Sequence, residues 1–175
     1  GLSFIIGKTD EIEKSKEYPT RSYYCNLYMQ YHFLKENGEM HFTPPVQTIY
    51  SVKQALKEYF EEGETAKWER HCKVYSAIKE GLHKLGFQIF INESVESGLV
   101  AAAMYPDDAN WDFTKIHDYC YERGFTIYPG KVEKKGMFRL CALGAITEQD
   151  IKDFFVVFEQ ALYENKVTVP VIYGG

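Results

Sequence analysis

The sequence has no long apolar run, no paired cysteines and no large surplus of either charge. Nowhere does it approach the roughly 20 consecutive apolar residues that span a bilayer, and no basic, apolar and small-residue leader marks it for secretion. The expectation is a soluble, cytoplasmic protein with no membrane role. Lys and Arg number 20 against 25 Asp and Glu, a formal charge of -5, and the two signs are interspersed. That balance argues against a nucleic acid or an anionic membrane as the main partner. Cys25, Cys72, Cys120 and Cys141 lie far apart with no CxxC among them, which points to reduced, buried thiols. His32, His41, His71, His83 and His117 show no HxxxH or His/Cys spacing, so no metal site is expected. Also missing are a GxSxG elbow, a P-loop and a GxGxxG turn, and with them any self-contained catalytic motif.

What is present is the composition of a globular protein: 45% hydrophobic, 26% charged and 16% aromatic. GLSFIIG reads as a buried strand, and TDEIEKSKE as a short helix that Thr9 or Asp10 could cap, ended by Pro19. Leu27, Tyr31 and Leu34 fall at helical spacing, with Gly38 as the stop. HFTPPVQT, residues 41–48, is a rigid connector, because Pro44 and Pro45 each lack an amide donor and hold their predecessors extended. SVKQALKEYFEEG is helical, and Trp68, Cys72, Tyr75, Ile78, Leu82 and Leu85 form the stripe of a long amphipathic helix closed by Gly86. FQIFI and GLVAAAMY are apolar runs of strand length, DFTKIHDYCYERG is a helix, and FTIYPG is a strand with a turn. MFRLCAL is another strand, and Thr147 with Asp150 starts a last helix carrying Ile151, Phe154, Phe155, Phe158 and Leu162. These elements predict an α+β fold with a sheet of about four strands, antiparallel or mixed, covered by helices on one side. NKVTVPVIYGG has no evident place in it.

Two residues stand out chemically. On a strand of period two, Met137, Arg139 and Cys141 share one face while Phe138, Leu140 and Ala142 share the other. An arginine so flanked either reaches solvent, pairs structurally, or meets an anion, for which its planar fork offers two parallel hydrogen bonds. Thr43 is held stiff by the prolines after it, which suits a phosphate contact or a plain turn-stabilising threonine. The acidic cluster of Glu61, Glu62 and Glu64 reads as a solvated helix end, and the 14 tyrosines as packing or interface surface.

GLSFIIGK, FTPPVQTIYSVKQALKEYFEEG, GFTIYPGK and FRLCALGAITEQDI, in this order, resemble the C-terminal half of the class V, fold type I aminotransferases that use pyridoxal 5'-phosphate. Within that family the likeness is to the branch acting on 2-aminoethylphosphonate and pyruvate, with serine:pyruvate and alanine:glyoxylate types as relatives. The resemblance covers about residues 1–164. It implies that Arg139, in an FR(I/L)xxxG motif, binds the acidic group of the substrates, and that Thr43 reaches the cofactor phosphate of the neighbouring subunit in a homodimer. Met40 stands where some relatives carry an aromatic residue. YPGK fits a turn near the cleft with a structural role. The family's cofactor-binding lysine precedes GLSFII, so Lys8 does not match it, and the chain alone is expected to be inactive. The implied division is 1–42 as a remnant of the large cofactor domain (one strand and a helix) with its connector, 43–164 as the small domain, and 165–175 as a tail. Its partners would be a small amino donor and a keto acid. A reading of a different class is a non-catalytic α+β module that uses Arg139 to hold a small anion.

Overall fold

The computed structural model describes residues 2–132 and 135–174, in two compact units, Gly1–Glu62 and Gly63–Gly175.

The first unit is helical. Residues 2–8 form no strand: they pair with no described residue, and Phe4, Ile5 and Ile6 are exposed. An apolar run becomes a strand only where a neighbour completes its backbone hydrogen bonds. Helix α1 (Thr9–Lys14) has Lys8 at its N-cap with no side-chain cap, so neither Thr9 nor Asp10 caps it. Helix α2 (Leu27–Asn37) begins at Asn26, whose side chain accepts the Met29 amide at 3.0 Å, and ends at Gly38 in the left-handed region. Lys35 bonds Glu13 at 3.1 Å and ties α2 to α1. The connector is shorter than expected, because α3 (Val46–Glu62) starts directly after Pro45. Proline suits the residues just ahead of a helix, where its missing amide costs nothing.

In the second unit, α4 (Glu64–Lys84) buries Val74, Tyr75, Ile78 and Leu82, while Trp68 at the start of the expected stripe stays open. At Gly86 (φ +85°) a Cβ would stand 2.9 Å from both backbone N and O of Val171, so this turn needs glycine for its dihedral and for the close approach. Strand β1 (Val100–Met104) pairs antiparallel with β3 (Lys135–Cys141), which pairs antiparallel with β2 (Tyr128–Val132). The order is β1-β3-β2. The fourth strand is rudimentary. FQIFI contributes one bridge, Ile89 to Ala103, flanked by Phe90 N–H to Ala102 O at 2.8 Å and Met104 N–H to Gln88 O at 2.9 Å.

Register decides the two faces. Ala101 faces Leu140 and Ala103 faces Phe138, and these four turn toward α4, α5 (Phe113–Tyr121) and α6 (Glu148–Glu164). The alanines give α4 close access to the sheet, and Phe138 meets Phe87 (5.3 Å, perpendicular), Phe158 (5.5 Å) and Trp111 (5.9 Å). Asp112 caps α5, and Thr147 and Asp150 form the full capping box of α6, as their spacing promised.

The segment without an evident place is part of this unit. Val167 and Val171 are buried, and Val171 N–H bonds Leu85 O at 2.8 Å. Asp108 accepts the Thr168 and Asn110 amides at 2.9 and 2.8 Å, and Asp107 accepts Gly174 N–H at 2.6 Å. The Tyr173 hydroxyl donates to Met104 O and accepts from Gln88 N–H. Alternation of Val167, Val169 and Val171 had offered too little apolar surface to show that it would pack.

Helix α4 also needs Gly81, since a Cβ there would run into the Phe155 ring of α6. Gly→Ala inside a helix ordinarily stabilises by up to ~1 kcal/mol. Here the overpacking outweighs that gain, so Gly81→Ala is expected to destabilise by about 1–2 kcal/mol in denaturant melts. The two amides on Asp108 hold its carboxyl below the ordinary 3.8. This tie is complete above pH 3.8 and is lost as pH falls below it toward the lowered folded value. Hydrogen exchange should therefore show Thr168 and Asn110 losing protection below that pH, and Asp108→Asn should remove the pH dependence.

Candidate functional site

Arg139 owes its place to its neighbours. Phe138 is fully buried and Leu140 nearly so, and on a strand of period two their shared commitment to the core puts Arg139 on the other face. There it is exposed, between Ala102 of β1 and Tyr128 of β2. Its Nη2 donates to Pro129 O at 3.2 Å, so the guanidinium lies across β2 with donors left over. Pro129 is tolerated because β2 is an edge strand. Gly130 stands opposite Met137, and a Cβ on it would come within 2.9 Å of Met137 Cγ. The bare backbone beside the arginine is thus required by packing.

Beyond Tyr128 the chain leaves β3, and a cleft of about 510 Å³ opens there. Thr126, Tyr128, Arg139, Cys141 and Asp150 supply its polar groups, and Phe125, Leu143 and Ile146 are among its apolar walls. Asp150 spends Oδ2 on Thr147, accepting N–H at 2.8 Å and Oγ1 at 2.7 Å, and those bonds hold its carboxyl below the usual range. It stays ionised at neutral pH. Burial pushes the Cys141 thiol up, and the Arg139 charge pulls it back part of the way. Cys120, deep in the core, is pushed up to about 11 by burial. Neither thiol is activated.

Thr43 lies in the first unit, in the short stretch between α2 and α3. Its side chain is exposed, and its hydroxyl has no hydrogen bond with a described residue. Phe42 before it packs its ring with Tyr23, Tyr24 and His41, and Pro44 and Pro45 follow, so the hydroxyl stands on a stiff support. The expected site residues therefore fall in different units: Arg139 in a cleft, Thr43 on an exposed connector. YPGK is not a turn, since Tyr128–Val132 is strand β2. The sequence by itself does not single out Tyr128, Thr126, Cys141 or Asp150 as lining one cleft with Arg139. Tyr128 could have been found by pairing strands about a hairpin, but VEKKG carries no Asn-Gly or Asp-Gly to fix the register. Among the described residues no group of three His, Cys, Asp or Glu could hold a metal, and no helix is long and apolar enough to cross a membrane.

No family model matches the chain. The 2-aminoethylphosphonate–pyruvate transaminase of Burkholderia lata is 31% identical over 170 residues, covering 97% of this chain and 46% of that protein. The enzymes of that name from Cupriavidus necator (29%; 94% and 44%) and Salmonella typhimurium (30%; 95% and 46%) are similar. The chain spans about half the length of the curated relatives it matches. In fold it is similar to pyridoxamine–pyruvate aminotransferase from Mesorhizobium loti (TM-score 0.77, 20% identity, 93% of this chain and 42% of that one). Ureidoglycine–glyoxylate aminotransferase from Bacillus subtilis gives 0.75 at 17% identity over 91% and 42%. In sequence and in fold, then, the chain is similar to the C-terminal part of aminotransferases.

Arg139→Gln should push the Cys141 thiol up further and so slow alkylation of Cys141 by iodoacetamide near pH 8, read at that residue by mass spectrometry. Folding, followed by circular dichroism, should be retained.

Proposed function

We propose that this chain is the C-terminal segment of a cytoplasmic, homodimeric aminotransferase that moves the amino group of 2-aminoethylphosphonate to pyruvate. The products would be phosphonoacetaldehyde and alanine. The observation that carries the reading is Arg139, a guanidinium with donors to spare, set by a fully buried neighbour on the rim of an apolar-walled cleft. Support for the substrate pair comes from relatives named for that reaction.

The residues present fit one edge of a pyridoxal 5'-phosphate site. The stiffly held Thr43 hydroxyl, which has no partner among the described residues, suits a phosphate oxygen, in this reading that of the cofactor in the adjoining subunit. The lysine that would hold the cofactor covalently is expected upstream of Leu2, so these 175 residues alone are read as inactive. When bound, pyridoxal 5'-phosphate would supply the carbonyl that takes up the amino group and the sink for the electrons of the broken C–H bond. Arg139 grips the phosphonate of the donor, and later the carboxylate of the keto acid, through two parallel hydrogen bonds. That grip sets which bond at the reacting carbon faces the chemistry, and orientation of this kind removes a large part of a barrier. Phe125, Leu143 and Ile146 line the cleft with apolar surface, so a bound substrate displaces water around the pair and strengthens it.

In the complete protein, Arg139→Ala should lower kcat/KM for 2-aminoethylphosphonate by roughly 30- to 1,000-fold, about 2–4 kcal/mol, with KM rising and kcat falling. An unchanged kcat/KM in a variant that melts like the wild type would remove the anchor. Alanine and serine tested as donors beside 2-aminoethylphosphonate decide the substrate. Equal or better turnover of either would replace the phosphonate assignment with an alanine:glyoxylate or serine:pyruvate type. A complete protein that binds phosphonates yet transfers no amino group would leave the anion-binding module.

A further inference from the structure

Tyr128 is the residue directly opposite Arg139 in the β2–β3 ladder. Side chains of such an antiparallel pair stand on the same face with Cβ atoms about 5 Å apart. The burial pattern agrees: Ile127 is buried while Thr126 and Tyr128 on either side of it are exposed, as is Arg139. Tyr128 and Arg139 both line the same cleft. Tyr128 is 57% exposed, and its hydroxyl has no hydrogen bond with a described residue. Among the described residues nothing engages this hydroxyl, which leaves an O–H donor beside a guanidinium.

The shapes of the two anions give that donor a use. A carboxylate has two oxygens, and a guanidinium fork satisfies both in one plane. A phosphonate is tetrahedral and has a third oxygen out of that plane, which the fork cannot reach. We propose that Tyr128 donates to this third oxygen and so makes the Arg139 site selective for a tetrahedral phosphonate over a planar carboxylate. The inference rests on the reading of Arg139 as the anion anchor. Because the hydroxyl is exposed, it keeps water when a carboxylate occupies the site, and no buried donor is stranded. Selection is therefore graded, which suits a site that must also accept pyruvate in the same cycle. Asp150, the carboxylate of the cleft, is engaged by Thr147 and supplies no donor to either anion.

The experiment compares ethylphosphonate with propanoate, matched probes differing in the acidic group, by calorimetric dissociation constants on the complete protein. The wild type should prefer ethylphosphonate, and Tyr128→Phe should lower the phosphonate-to-carboxylate affinity ratio about 3- to 10-fold, the net worth of one ordinary hydrogen bond at a solvent-exposed site. Arg139→Gln should weaken both anions. If Arg139→Gln weakens both and the ratio survives Tyr128→Phe, the Tyr128 inference falls and the anchor stands. Should Arg139→Gln weaken neither, or the wild type bind neither anion, both fall. Tyr128→Phe keeps the ring, so its melting midpoint, matched to wild type, shows that the ratio reports the lost hydroxyl.

Discussion

The burial of Phe138 at the centre of β3 is the contact on which the second unit depends. Its ring meets Phe87 from the approach to the sheet, Trp111 from the loop before α5 and Phe158 from α6, so one side chain joins segments far apart in sequence. A strand allows its residues only two directions, and once Phe138 and Leu140 take the core, Arg139 has the other. The placement of the charge is thus overdetermined by packing and costs nothing at Arg139 itself. A one-residue slip of β3 would bury a guanidinium and expose a phenylalanine, which is why its register is held so firmly.

The surroundings of that strand share the work of holding it. Gly136 has no side chain because the Tyr105 ring occupies the place, and Gly130 has none because Met137 does. On the far edge the segment after α6 returns beside Leu85 and closes on the carboxylates of Asp107 and Asp108. Lys79 of α4 binds Glu93 at 2.7 Å and Glu96 at 2.9 Å, and Glu96 takes the Tyr75 hydroxyl at 2.9 Å, so the loop before β1 is fastened as well. The Lys79 partners raise its pKa, and the desolvated Tyr75 hydroxyl, donating to Glu96, is pushed up to about 12. Both keep their protons throughout the neutral range, so this fastening holds wherever Glu96 is ionised.

What could be read from the sequence was whatever rests on local rules. The stripes of α4 and α6, the capping box of Thr147 and Asp150, the stops at Gly38 and Gly86 and the two faces of β3 follow from periodicity and caps. Pairing lay beyond those rules. LSFII has the composition of a strand without a described partner; FQIFI has a partner, and only one bridge forms. Tyr128 became visible as a site residue only with the β2–β3 register, since nothing local to YPGK distinguishes a turn from an edge strand. The segment after α6 was missed because its stability lies in single amides on Asp107 and Asp108, contacts that no pattern of apolar residues announces.

The exposure of Arg139 bears on how such an anchor works. A solvent-exposed guanidinium and an anion gain at most about 1 kcal/mol in water, because hydration competes for both. The larger effect ascribed to Arg139 in catalysis needs the pair to be shielded. The apolar walls at Leu143, Ile146 and Phe125 supply shielding on one side, and the cleft remains open on the other. A substrate that fills the cleft with its own atoms would complete the shield, and a tetrahedral anion fills more of it than a planar one. Electrostatic strength and selectivity for shape would then have a common origin: under the proposed roles, the anion that fitted beside Tyr128 would also be the one that left the least water around Arg139.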